Sequence, residues 1–201
     1  MKRFQQFHIN FHPFHKNRGN SFLDMQGDID SVSQLIQILE NSQASDFVKI
    51  SKRLKLKACD FKEYASWGDS YTRNCIGRSK HYELLLLCWE AQQDTPIHCH
   101  NGEECWVYNL QGNFEEIRFD FNDKNEDELV ETGHETMRPD EISYMHDNMG
   151  FHSLHNRSDQ RGMTLHLYMN PIDSCRIYDE EEGAFVRKEM HYDTVAKTVE
   201  V

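Results

Sequence analysis

The sequence predicts a mainly β protein, a barrel or sandwich of short strands with a helical block packed against one side. Three observations predict it. Between residues 28 and 66 apolar side chains recur at helical spacing. From Tyr71 onward they alternate instead, or run unbroken for a strand's length, between turns bearing Gly, Asn and Asp. The chain has 201 residues with no internal repeat or low-complexity stretch, enough for one domain with a real core.

Residues 1–27 carry Phe4, Phe7, Phe11 and Phe14 at helical spacing beside His8, His12 and His15, and Pro13 interrupts any long helix. Such stripes arise readily from packing. This stretch therefore reads as a loosely docked extension of unknown role, in preference to a second metal site, with Asn17-Arg18-Gly19-Asn20 as a turn. The rest, 28–201, is expected to be one domain, helical over 28–70 and β over 71–201.

Ser31-x-x-Gln34 has the form of a capping box at the start of the apolar stripe Val32, Leu35, Ile36 and Leu39. After Asn41-Ser42-Gln43, Phe47, Ile50 and Leu54 mark a second amphipathic piece with lysines on its other side. Asp60-x-x-Glu63 is suited to cap a third short helix carrying Phe61 and Tyr64, and Gly68 and Asp69 close the block. Residues 82–90 are nearly all apolar, as in a strand buried on both faces. Strands at 105–110 and 115–121 flank Gln111-Gly112-Asn113, a tight reversal, with Ile117, Phe119 and Phe121 alternating. Asn122 to Asp127 reads as an acidic surface loop. Shorter strands are expected at 142–145, 151–154 and 163–169, then a hairpin through Ile177 and Phe185 turning at Glu182-Gly183.

Charge and composition narrow the function. The formal charge is −12, from 34 acids and 22 bases, and no Lys/Arg-rich run offsets it. This argues against nucleic acid or an anionic membrane as partner, though not against a small anion bound in a pocket. The longest apolar run, Leu84 to Trp89, is too short to span a bilayer. No apolar segment follows Lys2-Arg3, so a reducing, cytoplasmic location is expected. The six cysteines show no CxxC pair and read as free thiols.

The chemistry centres on Ile97-His98-Cys99-His100-Asn101-Gly102-Glu103-Glu104-Cys105. On a strand His98 and His100 share a face and reach one point, while Cys99 turns away. With Cys105 as an anchor residue and Gly112 beyond it, this is a metal-site layout. His81, His134, His146, His152, His155, His166 and His191 all remain possible further ligands. A second informative stretch, Met163 to Met169, alternates cleanly: Met163, Leu165, Leu167 and Met169 pack outward, while Thr164, His166 and Tyr168 face a barrel interior as a hydrogen-bonded row.

Gly150-Phe151-His152 followed by Asn156 has the form of the second half of a cupin metal site, whose histidine is the third ligand. This selects His152, with His155 and His146 as runners-up. A generic cupin has a glutamate separated from the second histidine of the pair by four intervening residues. Here the register to Gly112 puts Cys105 in that place and Glu104 one residue early, where only a bulge brings it inward.

From about Asp28 to the end, the chain resembles the cysteine dioxygenase family, small cupins with non-haem Fe(II). The resemblance rests on Tyr71-Thr72-Arg73-Asn74, Leu87-Cys88-Trp89, Ile97-His98-Cys99-His100 with Cys105, Gly150-Phe151-His152 with Asn156, and Leu165-His166-Leu167-Tyr168. It implies a cupin-type β-barrel or jelly roll. It also implies that His98, His100 and His152 hold Fe(II), and that Arg73, with Tyr71 beside it, takes the substrate carboxylate. Cys105 and Tyr168 correspond to a thioether-linked pair, His166 to the residue hydrogen-bonded to the tyrosine hydroxyl, and Trp89 to a packing residue. Thr164 stands where the family commonly has serine, and Met169-Asn170-Pro171 replaces the usual Ser-Pro-Pro.

The implied activity is oxidation of L-cysteine by O2 to cysteine sulfinate by a monomer. Three neutral ligands leave the metal's charge uncompensated, which favours a thiolate. Two alternatives are a dioxygenase for another small thiol, such as 3-mercaptopropionate, and a non-enzymatic cupin that binds a metal or ligand.

Overall fold

The structure, a computed structural model, describes residues 27–122 and 125–197, without the side chains of 125–127. The aromatic and histidine stripe at residues 4–15 lies outside the described residues. The helical block is short-limbed. Helix α1 (Val32–Glu40) begins at Ser31, whose hydroxyl accepts from the Gln34 N–H at 3.4 Å. The Gln34 side chain reaches past the cap to the Asp30 N–H at 3.1 Å. Helix α2 (Phe47–Ser51) buries Phe47 and Ile50. The expected third helix is a single turn over Ala58–Phe61, and Asp60 lies within it, accepting from the Lys57 N–H, instead of preceding a helix.

Among the described residues eleven strands follow: β1 (Thr72–Arg78), β2 (Glu83–Trp89), β3 (Cys105–Gln111), β4 (Phe114–Asn122), β5 (Asn125–Met137), β6 (Ile142–Met145), β7 (Phe151–Asn156), β8 (Gly162–Tyr168), β9 (Ser174–Asp179), β10 (Ala184–Glu189) and β11 (Thr194–Val195). One sheet has the order β11-β1-β2-β8-β3-β6. A second has the order β5-β4-β7, and β9 pairs with β10. The segment around residues 94–98 joins the smaller sheets, because His98 bridges both His152 of β7 and Ile177 of β9.

The central strands β2 and β8 of the large sheet are buried on both faces, as the unbroken Leu84–Trp89 run requires. The sheet's outer residues Leu84, Leu86, Leu165 and Leu167 pack with Leu35, Leu39, Phe47 and Ile50 of the helices. Each such fully buried aliphatic side chain contributes about 2 kcal/mol of transfer free energy. Its inner residues Leu85, Leu87, Trp89, Cys105, Val107 and Tyr168 form a separate barrel core. The alternation of 163–169 sorts the two faces as expected. No helix among the described residues is long and apolar enough to cross a membrane.

Three local expectations are corrected. The acidic stretch after Asn122 is not all loop, since β5 begins at Asn125 and pairs with β4 as far as Met137. In β4 the buried residues are Phe114 and Glu116, while Phe121 of the alternating apolar set is 38% exposed. Gln111-Gly112-Asn113 does not close a hairpin: β3 pairs with β6 and β8, whereas β4 pairs with β5 and β7. The turn therefore carries the chain from one sheet to the other. Gly112 is required there, because φ is +102° and a Cβ would lie 3.2 Å from the Cα of Gly162.

Candidate metal centre and substrate cavity

His98 and His152 are direct cross-strand partners, joined by backbone bonds of 2.9 and 3.1 Å. This pairing places two imidazoles side by side at the barrel mouth. His98 lies in an isolated bridge and not in a regular strand, and His100 is outside strand structure altogether. His100 is brought in by a turn through Asn101 and Gly102, both at positive φ. The Asp147 carboxylate fixes that turn by accepting the backbone N–H groups of His100 and Gly102, each at 2.6 Å. Cys99, expected to turn away, is buried and forms part of the cavity wall.

The ligand atoms of His98, His100 and His152 lie within 4.8 Å of one another. Two of the rings are held so that Nε2 faces inward. His98 Nδ1–H donates to the Pro96 carbonyl at 2.9 Å, and His152 Nδ1–H donates to the Glu116 carboxylate at 2.7 Å. Both partners can only accept, so the proton sits on Nδ1 and the Nε2 lone pair is free. The Nε2 atoms of His100 and His152 are 3.0 Å apart, and His100 Nδ1 is buried without a partner among the described residues. Loss of hydration, then the neighbouring His152, pushes the pKa of His98 down to about 3; the same causes, with His98 added, hold His100 well below its usual value. His98 and His100 are therefore neutral, the state that ligates a cation.

Glu116 was not singled out in the sequence. Its carboxyl is pushed down to about 2: burial works against ionisation, but the His152 hydrogen bond, Ser143 and Arg118 outweigh it. The signal was present in β4, where an acid shares the buried face with Phe114. Glu116→Gln keeps the shape and removes the charge that orients His152. Metal affinity is expected to fall about 10- to 100-fold, measured by competition with a chromophoric chelator.

The runners-up for third ligand are engaged elsewhere. His155 contacts Ser153 and Asp94, and His146 accepts from the Asn148 N–H. Glu104 is not swung inward by a bulge; its side chain hydrogen-bonds the Tyr144 hydroxyl.

A cavity of about 60 Å³ opens onto the histidines. Among the described residues its wall includes Tyr71, Arg73, His166, Tyr168, Cys175 and Lys188, and no carboxylate. An otherwise acidic protein thus presents a pocket that favours an anion. Arg73 is 7% exposed and its guanidinium donates to the His191 carbonyl at 3.0 Å. Tyr71 stacks on Trp89 with ring centroids 4.9 Å apart.

Cys105 and Tyr168 are Cα partners on β3 and β8, so both side chains point to the same face. The Tyr168 hydroxyl hydrogen-bonds the Cys105 thiol, while burial keeps both groups protonated, their pKa values well above the ordinary ones. The expected row of polar residues is formed, with a different wiring. Trp89 Nε1–H donates to the Thr164 hydroxyl at 2.9 Å, and Thr164 in turn lies 2.9 Å from His166 Nε2. The indole donates to Thr164, whose hydroxyl keeps a second acceptor site and its own proton for the His166 contact. His166 Nδ1 lies 4.0 Å from the Cys105 sulfur. Among the described residues His166 makes no hydrogen bond to the Tyr168 hydroxyl; the two rings stack at 6.1 Å. Trp89 is therefore a hydrogen-bond donor as well as a packing residue.

A barrel of this topology with three converging histidines defines a cupin with a candidate metal centre. Sequence comparison narrows the class. The profile of the family "Cysteine dioxygenase type I" matches residues 20–181. Cysteine dioxygenase type 1 of Rattus norvegicus is 32% identical over 163 residues, covering 76% of this chain and 81% of that protein. The Danio rerio protein of the same name is 29% identical over 179 residues, 86% and 79% of the two chains. Among solved structures, the cupin domain of Schizosaccharomyces pombe Cnp3 is similar with a TM-score of 0.43 at 9% identity, covering 54% of this chain and 71% of that one. The chain belongs to the cysteine dioxygenase family.

Proposed function

We propose that this chain oxidises L-cysteine with O2 to cysteine sulfinate at an Fe(II) held by His98, His100 and His152. The observation that carries the reading is the convergence of these three imidazoles, two of which, His98 and His100, line the same small cavity as Arg73, with no carboxylate among the described residues of its wall. The donor set fits a divalent cation: two inward lone pairs are fixed by Pro96 and Glu116, and the close approach of two Nε2 atoms is relieved by a shared positive charge. Three neutral ligands suit Fe(II) with a thiolate, because the anionic ligand comes from the substrate. When bound, Fe(II) supplies the electrons that activate O2 and a common point where both reactants meet.

The chain's own residues do the rest. Arg73 binds the substrate carboxylate by charge-assisted hydrogen bonds and so sets which way the thiol points. Leu87, Leu154 and Ile172 in the wall exclude water from the reacting sulfur. Tyr168, facing the same cavity, offers its hydroxyl proton to the oxygen being transferred. Both oxygen atoms end on sulfur, so RSH and O2 give RSO2H with no other reductant.

Cys105 and Tyr168 are placed to join as a thioether, with two hydrogen atoms removed by an oxidant such as O2. Their cross-strand pairing supports this. Intact mass after turnover is expected to fall by those two hydrogens, and not in Cys105→Ala; equal masses would remove the crosslink from the account. The activity is tested with iron-reconstituted protein under air. L-cysteine is expected to be consumed one for one with O2, ahead of 3-mercaptopropionate. Preference for 3-mercaptopropionate would reassign the substrate, and no uptake with any thiol would leave a binding cupin.

A further inference from the structure

Behind Arg73 lies a cluster that the family motifs do not contain, part of it in a C-terminal strap beyond the matched residues 20–181. Asp193 clamps the Arg73 backbone on both sides: its carboxylate accepts the N–H at 2.7 Å, and its own N–H donates to the Arg73 carbonyl at 2.9 Å. Thr194 and Val195 continue the strap as β11, paired with Asn74 and Cys75. On the other side stands Glu83, with no exposed surface, its Oε2 3.8 Å from an Arg73 nitrogen. Tyr192 ties the two sides together. Its hydroxyl donates to Glu83 and accepts from Arg78, and its ring centroid is 5.7 Å from the Arg73 guanidinium carbon.

A carboxylate stripped of all water is retained only where charges and hydrogen bonds replace its hydration. Arg78 and Tyr192 do this for Glu83, and Arg78 is itself held by Asp173 at 2.7 Å. Glu83 contributes nothing at the surface. What its carboxylate end faces is the back of Arg73 as an ion pair, and the guanidinium donors not used by His191 remain for the cavity.

We propose that Glu83 and Tyr192 are positioning residues that hold the Arg73 guanidinium aimed into the cavity, so that a carboxylate-bearing thiol meets a preformed fork. The proposal rests on the reading of Arg73 as the partner of the substrate carboxylate. An arginine fixed before binding loses less conformational freedom when it closes on a carboxylate, which tightens binding without any new contact to the ligand. The gain applies only to ligands that use Arg73.

The test is anaerobic calorimetric titration of the iron-loaded protein with L-cysteine and with 2-aminoethanethiol, which differs from it by lacking the carboxylate. Glu83→Gln and Tyr192→Phe are each expected to raise the L-cysteine Kd about tenfold while 2-aminoethanethiol stays within about twofold. If both ligands weaken together, or neither weakens, while Arg73→Gln weakens L-cysteine alone, the positioning role is wrong. If Arg73→Gln leaves the L-cysteine Kd unchanged, it is the underlying reading of Arg73 that fails. Should Glu83→Gln not fold, Tyr192→Phe, which keeps the ring and removes only the hydroxyl, decides the matter alone.

Discussion

His100→Ala is expected to lower thiol-dependent O2 consumption by about a thousandfold or more, since the metal contributes several kcal/mol to the barrier reduction. Of the three ligands, His100 is the one to substitute. His98 and His152 are hydrogen-bonded to Pro96 and Glu116, and truncating His152 strands a buried carboxylate. His100 Nδ1 has no partner among the described residues, so its removal is expected to act mainly on the proposed metal. Iron content after reconstitution should fall with activity while the circular dichroism spectrum is kept. A variant that binds iron normally and turns over at the parent rate would remove His100 from the site.

Arg73→Gln is expected to raise KM for L-cysteine about a hundredfold, the loss of a charge-assisted pair in a site that excludes water. Turnover of a thiol without a carboxylate should be much less affected, because that ligand never used the guanidinium. Steady-state kinetics with the two substrates separate this from a general loss of folding. Equal losses for both would mean that Arg73 supports the barrel and does not read the substrate.

The parts of this site visible in the sequence are those where side-chain parity follows the strand period. Thr164, His166 and Tyr168 could be assigned to the inner face of β8 because Leu165 and Leu167 alternate with them, and the helices cover those leucines. Cys105 and not Glu104 could be assigned inward by the same count from Gly112. Strand β5 was not visible because it is an edge strand, its residues charged on both faces and mostly exposed, with no apolar side to mark. Parity also misled in β4, where Phe121 of the aromatic set packs with Phe151 and Phe185 and the acid Glu116 is the buried residue.

What the sequence does not show is long-range pairing. Asp147 reaches the His100 turn from 47 residues away, and Asp193 clamps Arg73 across 120. Neither acid differs locally from any surface aspartate. The wiring of His166 is hidden for the same reason. Its Nε2 faces Thr164, which the alternation allows, but the choice between the Tyr168 hydroxyl and the Cys105 sulfur for Nδ1 is set by the register of β3 against β8.

The central claim is that the three-histidine cavity inserts both atoms of O2 into a bound thiol. Iron-reconstituted protein given L-cysteine under isotopically labelled O2 in ordinary water tests it in one vessel. Mass spectrometry of the product should show cysteine sulfinate with both oxygens of the sulfinate labelled. Unlabelled or singly labelled sulfinate, or cystine as the sole product, would contradict it.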